Sequence, residues 1–517
     1  MKRLLPALLL ALAAAAAHAG PYEDRERDWR NGAIVYQVIV DRFAPAADLD
    51  AKRAHYAPPR RLRAWTEEPA AGPYLDEYRL SAHELDFWGG DLASLTARLG
   101  HVQALGAGVL YLTPIHLAFT NHKYDAFDYQ QVSPEYGTRE DFRRLAAEAR
   151  RRGLKVVVDG VFNHMGRRAP IFQQALADPA SPWRDWFAIG PQYAGGARVW
   201  TGFQNHPELN LENAAVRRHL WEAPDSVVRS WLRDGADGWR LDTAYELGRP
   251  HLRALTDAAH AEKPGSLVVG EIVNYPGSWL QAMDAVMNFS LRQVVAGLVD
   301  GELSAPAAAR MTERLIRDAG IEPMLKSWVL LDNHDLPRIA SVWPDRARRH
   351  LAQALQFTLP GAPNVYYGAE LGMRGGTDPA NRGPMRWDLV NETNLELAWM
   401  RRLIALRQQH RALRVGDYRA VESERLFAFE RHTDRALDTR LVVVNPGAQT
   451  VRERLMVANP DLMDDTPMVD VLGLVPALAP ISFGPGFVRV ELPPHSAVVL
   501  QPQPKSLGGY SRYKRVP

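Results

Sequence analysis

Short apolar runs alternate with amphipathic stretches along most of the chain. Stretches such as REDFRRLAAEARRRG (139–153) and RARRHLAQALQFTL (346–359) repeat apolar residues at helical spacing, which predicts helices packed against a core. The apolar runs are short and rich in β-branched residues, which predicts strands. They are AIVYQVIV (33–40), GVLYLTP (108–114), KVVVDGV (155–161), GWRLDTA (238–244), LVVGEIV (267–273), AVMNFS (285–290), WVLLDNHD (328–335) and APNVYYG (362–368).

The alternation and the number of predicted strands indicate an α/β fold with a closed barrel. Alternating strands and helices predict a parallel sheet covered by helices, and eight such units favour a (β/α)8 TIM barrel. An open doubly wound sheet is the alternative. Its dinucleotide-binding form is disfavoured, because no Gly-x-Gly-x-x-Gly motif follows the first run. We expect the barrel to comprise residues 20–163 and 211–410.

Two segments depart from this alternation and predict further domains. After DGVFNH (159–164) the chain continues to residue 210 through several Trp, Gly and Pro residues, and a structureless loop of that length is unusual. We therefore expect a loop subdomain, residues 164–210, inserted after strand 3. After a long predicted helix (394–413), segments such as TRLVVVNPG alternate apolar and polar residues. They predict a C-terminal antiparallel β-sandwich domain at 411–504 and a mobile basic tail at 505–517.

Composition excludes several classes of protein. The 517 residues include 46% hydrophobic and 24% charged residues, which is typical of a soluble globular protein. A formal net charge of +2 provides no field for binding nucleic acid or a membrane surface, so neither is expected as a partner. The sequence contains no cysteine, so disulfides and zinc–thiolate sites are excluded.

The first 19 residues differ in character from the rest. MKRLLPALLLALAAAAAHA has a basic start, a short apolar middle and a small-x-small end, which is the pattern of a secretory signal peptide. A membrane anchor is the alternative, although the apolar run is short and rich in alanine. We expect cleavage after Ala19, a periplasmic or secreted mature protein, and no stable membrane insertion once the signal is removed.

Polar residues stand at the carboxyl ends of several predicted strands, where a parallel barrel forms its site. Arg240 and Asp242 are two positions apart, so a strand directs both side chains to the same face. An isolated pair of this kind is usually a structural ion pair. Other strand ends carry further polar residues, which makes convergence at one rim the better interpretation. They are Asp159, Asn163, His164, Glu271, Asp332, Asn333, His334 and Asp335.

Three of these side chains are carboxylic acids that belong to different strands: Asp242, Glu271 and Asp335. Clustered carboxyls repel one another, so their pKa values separate. We expect Arg240 to keep Asp242 ionised. Glu271 has apolar neighbours and no cation nearby in the sequence, so we expect it to retain a proton near neutral pH. One ionised carboxylate and one protonated carboxyl form the pair that cleaves a glycosidic bond.

The segments DGVFNH, GWRLDTA, GEIV and DNHD, in that order, resemble the four signature regions of the α-amylase family, glycoside hydrolase family 13. Further segments are similar to family elements: VDRF (40–43), FWGGDL (87–92), HKYDAFDY (122–129), HPELNLEN (206–213) and GGTDPANRGPMRW (375–387). The resemblance implies a (β/α)8 barrel, a domain after the third strand and a C-terminal β-domain, as the hydrophobic pattern also predicts.

By this resemblance, Asp242 is the nucleophile, Glu271 is the general acid and base, and Asp335 grips and distorts the sugar. The other implied substrate-binding residues are Arg240, which orients the nucleophile; His164 and His334, which hydrogen-bond the same sugar; Tyr124, which stacks on it; Asp378 and Arg382, which hold the next sugars on the non-reducing side; and His122. The implied substrate is an α-glucan oligosaccharide or polysaccharide, and no organic cofactor is implied.

The chain also departs from the family pattern. Many α-amylases have a histidine of a calcium site four positions after the nucleophile, where this chain has Glu246. WRLDTAYE and HKYDAFDY are closer to the neopullulanase and cyclomaltodextrinase branch, whereas EIVN differs from that branch's usual Trp-His after the acid. We expect the branch's N-terminal β-domain to be absent, because only residues 20–32 separate the predicted signal from the first strand.

A calcium site is a further expectation from the resemblance. Asn163 matches a family ligand for Ca²⁺, and Asp41, Asp48 and Asp50 in an early loop are candidate partners. The alternative is that these spaced acids are simply solvated.

The sequence is compatible with three functions. The leading one is a retaining α-glucan hydrolase that cleaves α-1,4-glucosidic bonds of maltooligosaccharides, cyclodextrins or starch through a covalent glucosyl-enzyme intermediate. A transglycosylase or isomerase would use the same double displacement and pass the glucosyl group to another sugar. A non-catalytic carbohydrate-binding protein would have lost the carboxyls, and this chain has all three.

Overall fold

A computed structural model describes residues 20–475, 479–506 and 508–516. The predicted signal peptide, residues 1–19, lies outside the described residues. Within the described ranges, no helix combines the length and the apolar character needed to cross a bilayer.

Eight parallel strands close into a barrel, which confirms the predicted fold class. They are β1 (Val35–Val38), β2 (Val109–Leu112), β3 (Lys155–Gly160), β4 (Gly238–Leu241), β5 (Leu267–Ile272), β6 (Ala285–Asn288), β7 (Trp328–Leu330) and β8 (Ala362–Tyr366). Neighbours in sequence are neighbours in the barrel, and β1 pairs with both β2 and β8 to complete it. All eight strands fall within the predicted apolar runs, although β4 ends before Asp242 and β7 ends before Asp332.

Side-chain alternation along the strands places an apolar layer inside the barrel and a polar layer above it. The inner layer includes Val35, Val109, Val157, Val269 and Trp328, all 0–1% exposed. Successive side chains of a strand point to opposite faces, so the residue two positions later also points inward. At four strands this next inward residue is polar: Gln37, Tyr111, Asp159 and Glu271. The polar layer therefore lies at the carboxyl ends of the strands, on a packed apolar floor.

Helices cover the outside of the barrel. The longer ones are Leu92–Leu105, Arg139–Arg151, Arg249–Glu262, Phe289–Asp300, Ala305–Ala319, Arg346–Thr358 and Leu395–Gln409. Shorter ones are Pro21–Arg27, Val40–Phe43, Pro170–Ala177, Ala214–Arg217, Val227–Arg233, Ala244–Leu247, Ile321–Lys326, Ile339–Val342 and Arg411–Val415. The helix predicted at 394–413 is interrupted at His410, whose φ of −114° and ψ of 102° are extended. It is therefore two helices, and the second leads into the C-terminal domain.

The insertion predicted at 164–210 lies between β3 and the helices that precede β4. It contains the helix Pro170–Ala177 and the short 3-10 turns Arg184–Trp186, Ala194–Gly196 and Trp200–Gly202. Isolated β-bridges tie it together, and one of them joins His164 to Glu208. Outside the barrel, three further small sheets pair Arg61–Leu62 with Asp86–Phe87, Tyr74–Leu75 with Leu80–Ser81, and His116–Ala118 with Ala126–Val132.

The C-terminal domain is an eight-stranded antiparallel sheet, as predicted. Its strands are β9 (Asp417–Val421), β10 (Phe427–His432), β11 (Arg440–Asn445), β12 (Val451–Met456), β13 (Thr466–Asp470), β14 (Ile481–Gly484), β15 (Phe487–Leu492) and β16 (Ser496–Pro502). All eight strands contribute to one apolar core. The opposite faces of β10, β11 and β16, through Phe429, Val442 and Val499, belong to the core shared with the barrel helices.

The end of the chain lies against this domain. The sequence predicts a mobile tail at 505–517, yet Tyr513 within it is only 8% exposed. Its hydroxyl accepts a hydrogen bond from the backbone N–H of Met463 at 3.0 Å and lies 2.8 Å from Thr466 Oγ1. Tyr513 is therefore anchored to the C-terminal domain, a contact that charge and glycine content alone do not indicate.

Candidate active site

Neighbouring strands of the barrel bring the predicted acids to one rim around Arg240. Arg240 is on β4 in register with Asp159 on β3, and both side chains point into the barrel. Asp242 follows β4 directly, and its backbone N–H donates to Gly160 O at 3.1 Å, which continues the strand pairing past the end of β4. Glu271 lies on β5, the next strand around the barrel. Parallel strand pairing therefore fixes the level of all four residues along the barrel axis.

The guanidinium of Arg240 contacts three carboxylates. Its Nη1 donates to Asp159 Oδ1 and Asp242 Oδ1, each at 2.9 Å, and its Nη2 lies 2.8 Å from Glu271 Oε1. Asp242 and Glu271 touch different nitrogens of one planar group. Their nearest oxygens therefore lie within about 8 Å of each other, inside the range that glycosidase carboxyl pairs span.

Glu271 has no cation nearby in the sequence, but the structure places Arg240 beside it. The cation comes from the adjacent strand, two positions away from Asp242, so Arg240 is shared rather than reserved for Asp242. Burial raises the pKa of Asp242 well above its usual range, with Arg240 opposing the rise and Glu271 adding to it. Burial also raises the pKa of Glu271, again against Arg240. The cluster therefore favours retaining a proton, and the apolar sequence around Glu271 does not by itself decide which carboxyl carries it.

The residue after Asp242 has a strained backbone that serves the second carboxylate. Thr243 has φ 40° and ψ 43°, in the left-handed region that a β-branched residue rarely adopts. This conformation turns its backbone N–H toward Glu271 Oε2, to which it donates at 3.1 Å. Glu271 is thus held at both oxygens, by Arg240 and by a backbone N–H. Strain of this kind concentrates at functional sites.

A second layer of hydrogen bonds surrounds Asp159. Tyr111, inward on β2, donates to Asp159 Oδ2 at 2.5 Å, and Tyr124 donates to the same oxygen at 3.2 Å. The Tyr124 hydroxyl also lies 2.5 Å from His334 Nε2, and the two rings stack with an interplanar angle of 8°. Tyr124 and His334, predicted to touch one sugar, therefore contact each other directly.

The loop after β7 forms the opposite wall. Asn333 Oδ1 accepts from the backbone N–H groups of Asp335 and Leu336, each at 2.9 Å, which fixes the turn. The Asp335 side chain is 46% exposed, so it faces the open cleft. Arg382 lies 3.3 Å from Asp335 Oδ1 and also donates to the carbonyl of His334 at 2.8 Å.

Asp378 joins this wall through Arg382, whose Nε lies 3.3 Å from Asp378 Oδ1. Burial tends to raise the pKa of Asp378, but the hydrogen bond with His83 and the charge of Arg382 outweigh it and lower the pKa to about 2. Asp378 is therefore an ionised acceptor at the edge of the cleft. His122 lies beside Tyr124, accepts its backbone N–H at 3.0 Å and contacts Glu84 Oε2 at 3.0 Å.

His164 lies in a stack of rings rather than in the hydrogen-bonded network. Its ring stacks on His206, at 4.7 Å between centroids, and on Trp200, at 5.1 Å. Phe203 continues the stack from Trp200 at 5.5 Å and is 57% exposed. Burial lowers the pKa of His164 well below its usual range, so the ring is neutral. Within the described ranges His164 Nε2 has no hydrogen-bond partner.

The residues proposed from the sequence as calcium ligands do not form a ligand set. Asn163 directs its amide nitrogen to His164 Nδ1, at 3.4 Å. The early acids already accept bonds from protein donors, namely Trp88 N, Gly89 N and Arg42 Nε for Asp41, Ala51 N for Asp48 and Arg53 Nε for Asp50. In the described part of the chain, no group of three His, Asp or Glu side chains is placed to hold a metal ion.

Sequence reasoning missed four residues that the structure places in or beside the site. Gln37 and Tyr111 are inward on β1 and β2, His206 stacks on His164, and Trp200 donates from its indole N–H to Glu246 at 2.9 Å. One signal was available for Gln37, because a lone amide in an apolar strand has to find a buried partner. Nothing in the sequence links Trp200 to Glu246, since 46 positions separate them.

Comparisons with known proteins show the family to which this chain is related. A family model described as the α-amylase catalytic domain matches residues 37–431. Neopullulanase 2 from Thermoactinomyces vulgaris is 33% identical over 425 residues, which cover 78% of this chain and 68% of that protein. A cyclomaltodextrinase from a Bacillus species is 32% identical over 435 residues, covering 81% and 73% of the two chains.

A solved structure shows the same fold. The cyclic α-maltosyl-(1→6)-maltose hydrolase from Arthrobacter globiformis, in its ligand-free form, has a TM-score of 0.76 and 30% identity, covering 92% of this chain and 100% of that one. The debranching enzyme of Nostoc punctiforme has a TM-score of 0.77 and 28% identity, over 92% and 99% of the chains. The region that the family model matches is most of the chain and includes all three carboxyls. The chain therefore belongs to the α-amylase family of glycoside hydrolases.

Proposed function

We propose that the protein is a retaining α-glucan hydrolase that cleaves α-1,4-glucosidic bonds of maltooligosaccharides, cyclodextrins or starch. One observation carries the proposal: Asp242 and Glu271, on adjacent strand ends, share the guanidinium of Arg240. Asp335 stands on the facing loop with its carboxylate open to the cleft. Two carboxyls at this spacing, with a third acid beside them, fit cleavage of a glycosidic bond.

The proposed reaction uses the two buried carboxyls in turn. The Asp242 carboxylate attacks the anomeric carbon while the Glu271 carboxyl gives its proton to the leaving oxygen, so a glucosyl ester forms and the glycosidic bond breaks. Glu271, now a carboxylate, takes a proton from water, whose oxygen displaces Asp242 and releases the sugar. Arg240 stabilises whichever carboxylate is ionised at each step, because it contacts both.

The facing wall supplies the sugar contacts in this proposal. Asp335 accepts hydroxyl protons of the sugar at the cleavage point, and Arg382 holds that carboxylate at 3.3 Å. The face of Tyr124, backed by the stacked ring of His334, offers an apolar surface for the sugar ring. His122, His164 and Asp378 extend the polar lining on either side.

The names of the relatives support the choice of substrates. They are a neopullulanase, a cyclomaltodextrinase and a hydrolase of a cyclic maltosyl-maltose, which together indicate α-glucans that include cyclic ones. Chromatography of the products from starch, pullulan, β-cyclodextrin and maltotriose tests the proposal. Release of short maltooligosaccharides or glucose in the α-anomeric form, detected early by proton NMR, is the expected result. A β-anomeric first product would reject the retaining mechanism, and no release from any of the four would reject hydrolysis.

Glucosyl transfer is the second candidate, and an apolar groove favours it. The groove, of about 660 Å³, lies next to the loop that follows Glu271, and Val273, Tyr275 and Met311 in its lining are 45–50% exposed. Such a surface suits an acceptor sugar that competes with water for the intermediate. Product chromatography with and without added maltose distinguishes the two. Longer or α-1,6-linked products that rise with maltose concentration indicate transfer, and unchanged products indicate hydrolysis.

We also propose that the protein is periplasmic or secreted. The basis is the signal-peptide pattern of residues 1–19. N-terminal sequencing of the protein recovered from the periplasm or medium should begin at Gly20. Recovery of the intact N-terminus from the membrane fraction would instead indicate an anchor.

A further inference from the structure

Two buried amides on adjacent strands lie behind the site and have no part in the mechanism above. Gln37 on β1 and Asn364 on β8 are both 0% exposed. Asn364 Nδ2 donates to Gln37 Oε1 at 3.0 Å, and Gln37 Nε2 lies 2.8 Å from His334 Nδ1. An amide costs free energy in an apolar barrel unless its partners are specific, so this chain of contacts needs a reason.

The surroundings of His334 assign its proton to one nitrogen. Its Nε2 lies 3.1 Å from Asp335 Oδ2, a carboxylate oxygen that can only accept while it is ionised. Nε2 must therefore carry a proton, and Nδ1 must accept from the amide of Gln37. Reversing both amides would place a bare Nε2 lone pair against Asp335. It would also leave the two-donor Nδ2 of Asn364 without an acceptor, whereas the present arrangement leaves only its Oδ1 without a donor.

With this assignment, four successive hydrogen bonds across the barrel mouth point the same way. Asn364 donates to Gln37, Gln37 to His334, His334 to the oxygen of Tyr124, and Tyr124 to Asp159. Asp159 ends the chain as an acceptor that also receives Tyr111 and Arg240. Chains of aligned hydrogen bonds polarise one another, so each bond strengthens the next.

We propose that Gln37, held by Asn364, is a positioning residue that keeps His334 neutral and protonated at Nε2. The fixed N–H then faces Tyr124 and Asp335, and the Tyr124 hydroxyl is directed to Asp159 rather than to His334. An ionised Asp159 in turn holds the Arg240 guanidinium in place, where it contacts Asp242 and Glu271. An opposite tautomer would turn the Tyr124 hydroxyl proton away from Asp159 and leave one oxygen of that buried carboxylate with fewer donors.

Several charged groups act on His334 from the elements packed around it. Burial disfavours its protonated form most strongly, Arg240, Arg382 and His122 act in the same direction, and Asp378 opposes them. Among the described residues, Asp335 is the carboxylate in direct contact with His334. The side-chain N–H of Gln37 further disfavours the protonated form of His334. An imidazolium carries a proton on Nδ1 and would need an acceptor there, whereas Gln37 presents a donor.

Neutron diffraction from deuterated crystals of the unmodified protein tests the assignment without any activity measurement. Deuterium on Nε2 alone of His334 is the expected result. Deuterium on Nδ1 alone would overturn the proposal. This readout is independent of the proposed function, on which only the kinetic test below rests.

Gln37→Glu tests the positioning role, because a carboxylate at this position accepts a hydrogen bond from Nδ1–H and so stabilises His334 as an imidazolium. Deuterium should then occupy both ring nitrogens, and kcat/KM should fall about tenfold, as expected when one buried hydrogen bond to a positioned group is replaced. The acid limb of the kcat/KM profile should also move to lower pH, since a cation 3.1 Å from Asp335 favours the ionised carboxyls.

Gln353→Met is the matched control, because Gln353 is a buried amide that bonds Trp399 outside the barrel mouth. It should lower the melting temperature without moving the pH profile. A Gln37→Glu variant with deuterium on Nε2 alone and an unchanged profile would overturn the proposal. If that variant does not fold, Gln37→Met takes its place, and an unchanged kcat/KM with Nε2 alone deuterated would overturn it equally.

Discussion

Arg240 Nη2 lies 2.8 Å from Glu271 Oε1, so the arginine of β4 is an ion-pair partner of the acid on β5. The same guanidinium holds Asp242 and Asp159. Three buried carboxyls therefore share one positive charge, and their mutual repulsion favours the binding of a proton by the cluster. Arg240 thus controls the protonation of the whole cluster rather than of one residue.

Arg240→Lys should lower kcat by about a hundredfold or more and move the acid limb of the pH profile to higher pH. A lysine ammonium has no fork and cannot bridge two carboxylates in fixed geometry. With less positive charge near each oxygen, the carboxyl pKa values rise further, so the ionised nucleophile forms only at higher pH. The measurement is kcat as a function of pH on maltotriose.

Arg63→Lys is the control for this variant, because Arg63 pairs with Asp86 away from the barrel interior. It should leave the profile unchanged. An Arg240→Lys enzyme with the normal acid limb would show that the shared guanidinium does not set these pKa values.

Glu271→Gln should reduce kcat by about a thousandfold, since the amide cannot donate a proton to the leaving oxygen. Binding should persist, because the amide keeps an oxygen for the backbone N–H of Thr243. Steady-state kinetics and calorimetric binding of maltotriose measure the two effects. Glu262→Gln, on a surface helix where Glu262 pairs with Arg233, should change neither. Full activity in Glu271→Gln would refute the assignment of the acid.

Asp332→Asn should stabilise the protein at pH 8 and change little at pH 4. Burial raises the pKa of Asp332 from 3.8 to about 6, so the folded chain binds this proton more tightly than the unfolded chain does. Protonation of Asp332 contributes its full stabilisation when the pH is below the pKa of this carboxyl in the unfolded chain. The contribution is lost as the pH rises through the pKa of the carboxyl in the folded chain. Because asparagine cannot ionise, the substitution should raise the free energy of unfolding by up to about 3 kcal/mol at pH 8.

Urea unfolding at both pH values measures this gain. The amide oxygen of asparagine can still accept the backbone N–H of Ile339, which now bonds Asp332 at 3.0 Å. Asp50→Asn, at a side chain 82% exposed, should show no difference between the two pH values. A loss of stability in Asp332→Asn at pH 8 would contradict the argument.

Chelation should leave the melting temperature within about one degree of the untreated protein. Asp41 accepts two backbone N–H groups and the Arg42 guanidinium, so it is not free to bind an ion. Trp200 bonds Glu246 instead, which ties the insertion to the segment after β4 without a metal. Differential scanning fluorimetry with EDTA and with added CaCl₂ tests this. A rise of several degrees with calcium that Asn163→Leu abolishes would restore the calcium prediction.

Phe203→Ala should raise KM for maltooligosaccharides several-fold and leave kcat nearly unchanged. The ring is exposed at the end of a stack that leads through Trp200 to His164, and an exposed aromatic face suits the apolar side of a sugar. Steady-state kinetics on maltotriose and maltohexaose measure the effect, which should grow with chain length. Tyr74→Ala, at a ring 54% exposed on a separate hairpin, serves as the control and should change neither constant.

The sequence by itself determined the barrel, the antiparallel C-terminal domain and the convergence of Asp242 and Arg240. The reason is that these features follow from local periodicity: alternating inward positions make strands, and residues two apart in a strand share a face. The predicted strand runs each contain one strand of the closed barrel. The three carboxyls were identified from their own segments, since each follows its own apolar run.

Only the tertiary structure decided how those residues interact. Arg240 meets Glu271 because β4 and β5 pair in parallel, Trp200 meets Glu246 across 46 positions, and Gln37 meets His334 across 297. Periodicity within one element carries no information about register between elements distant in sequence. The sequence neighbours of Glu271 therefore do not reveal Arg240 as its partner, because electrostatic interaction depends on distance in space rather than along the chain.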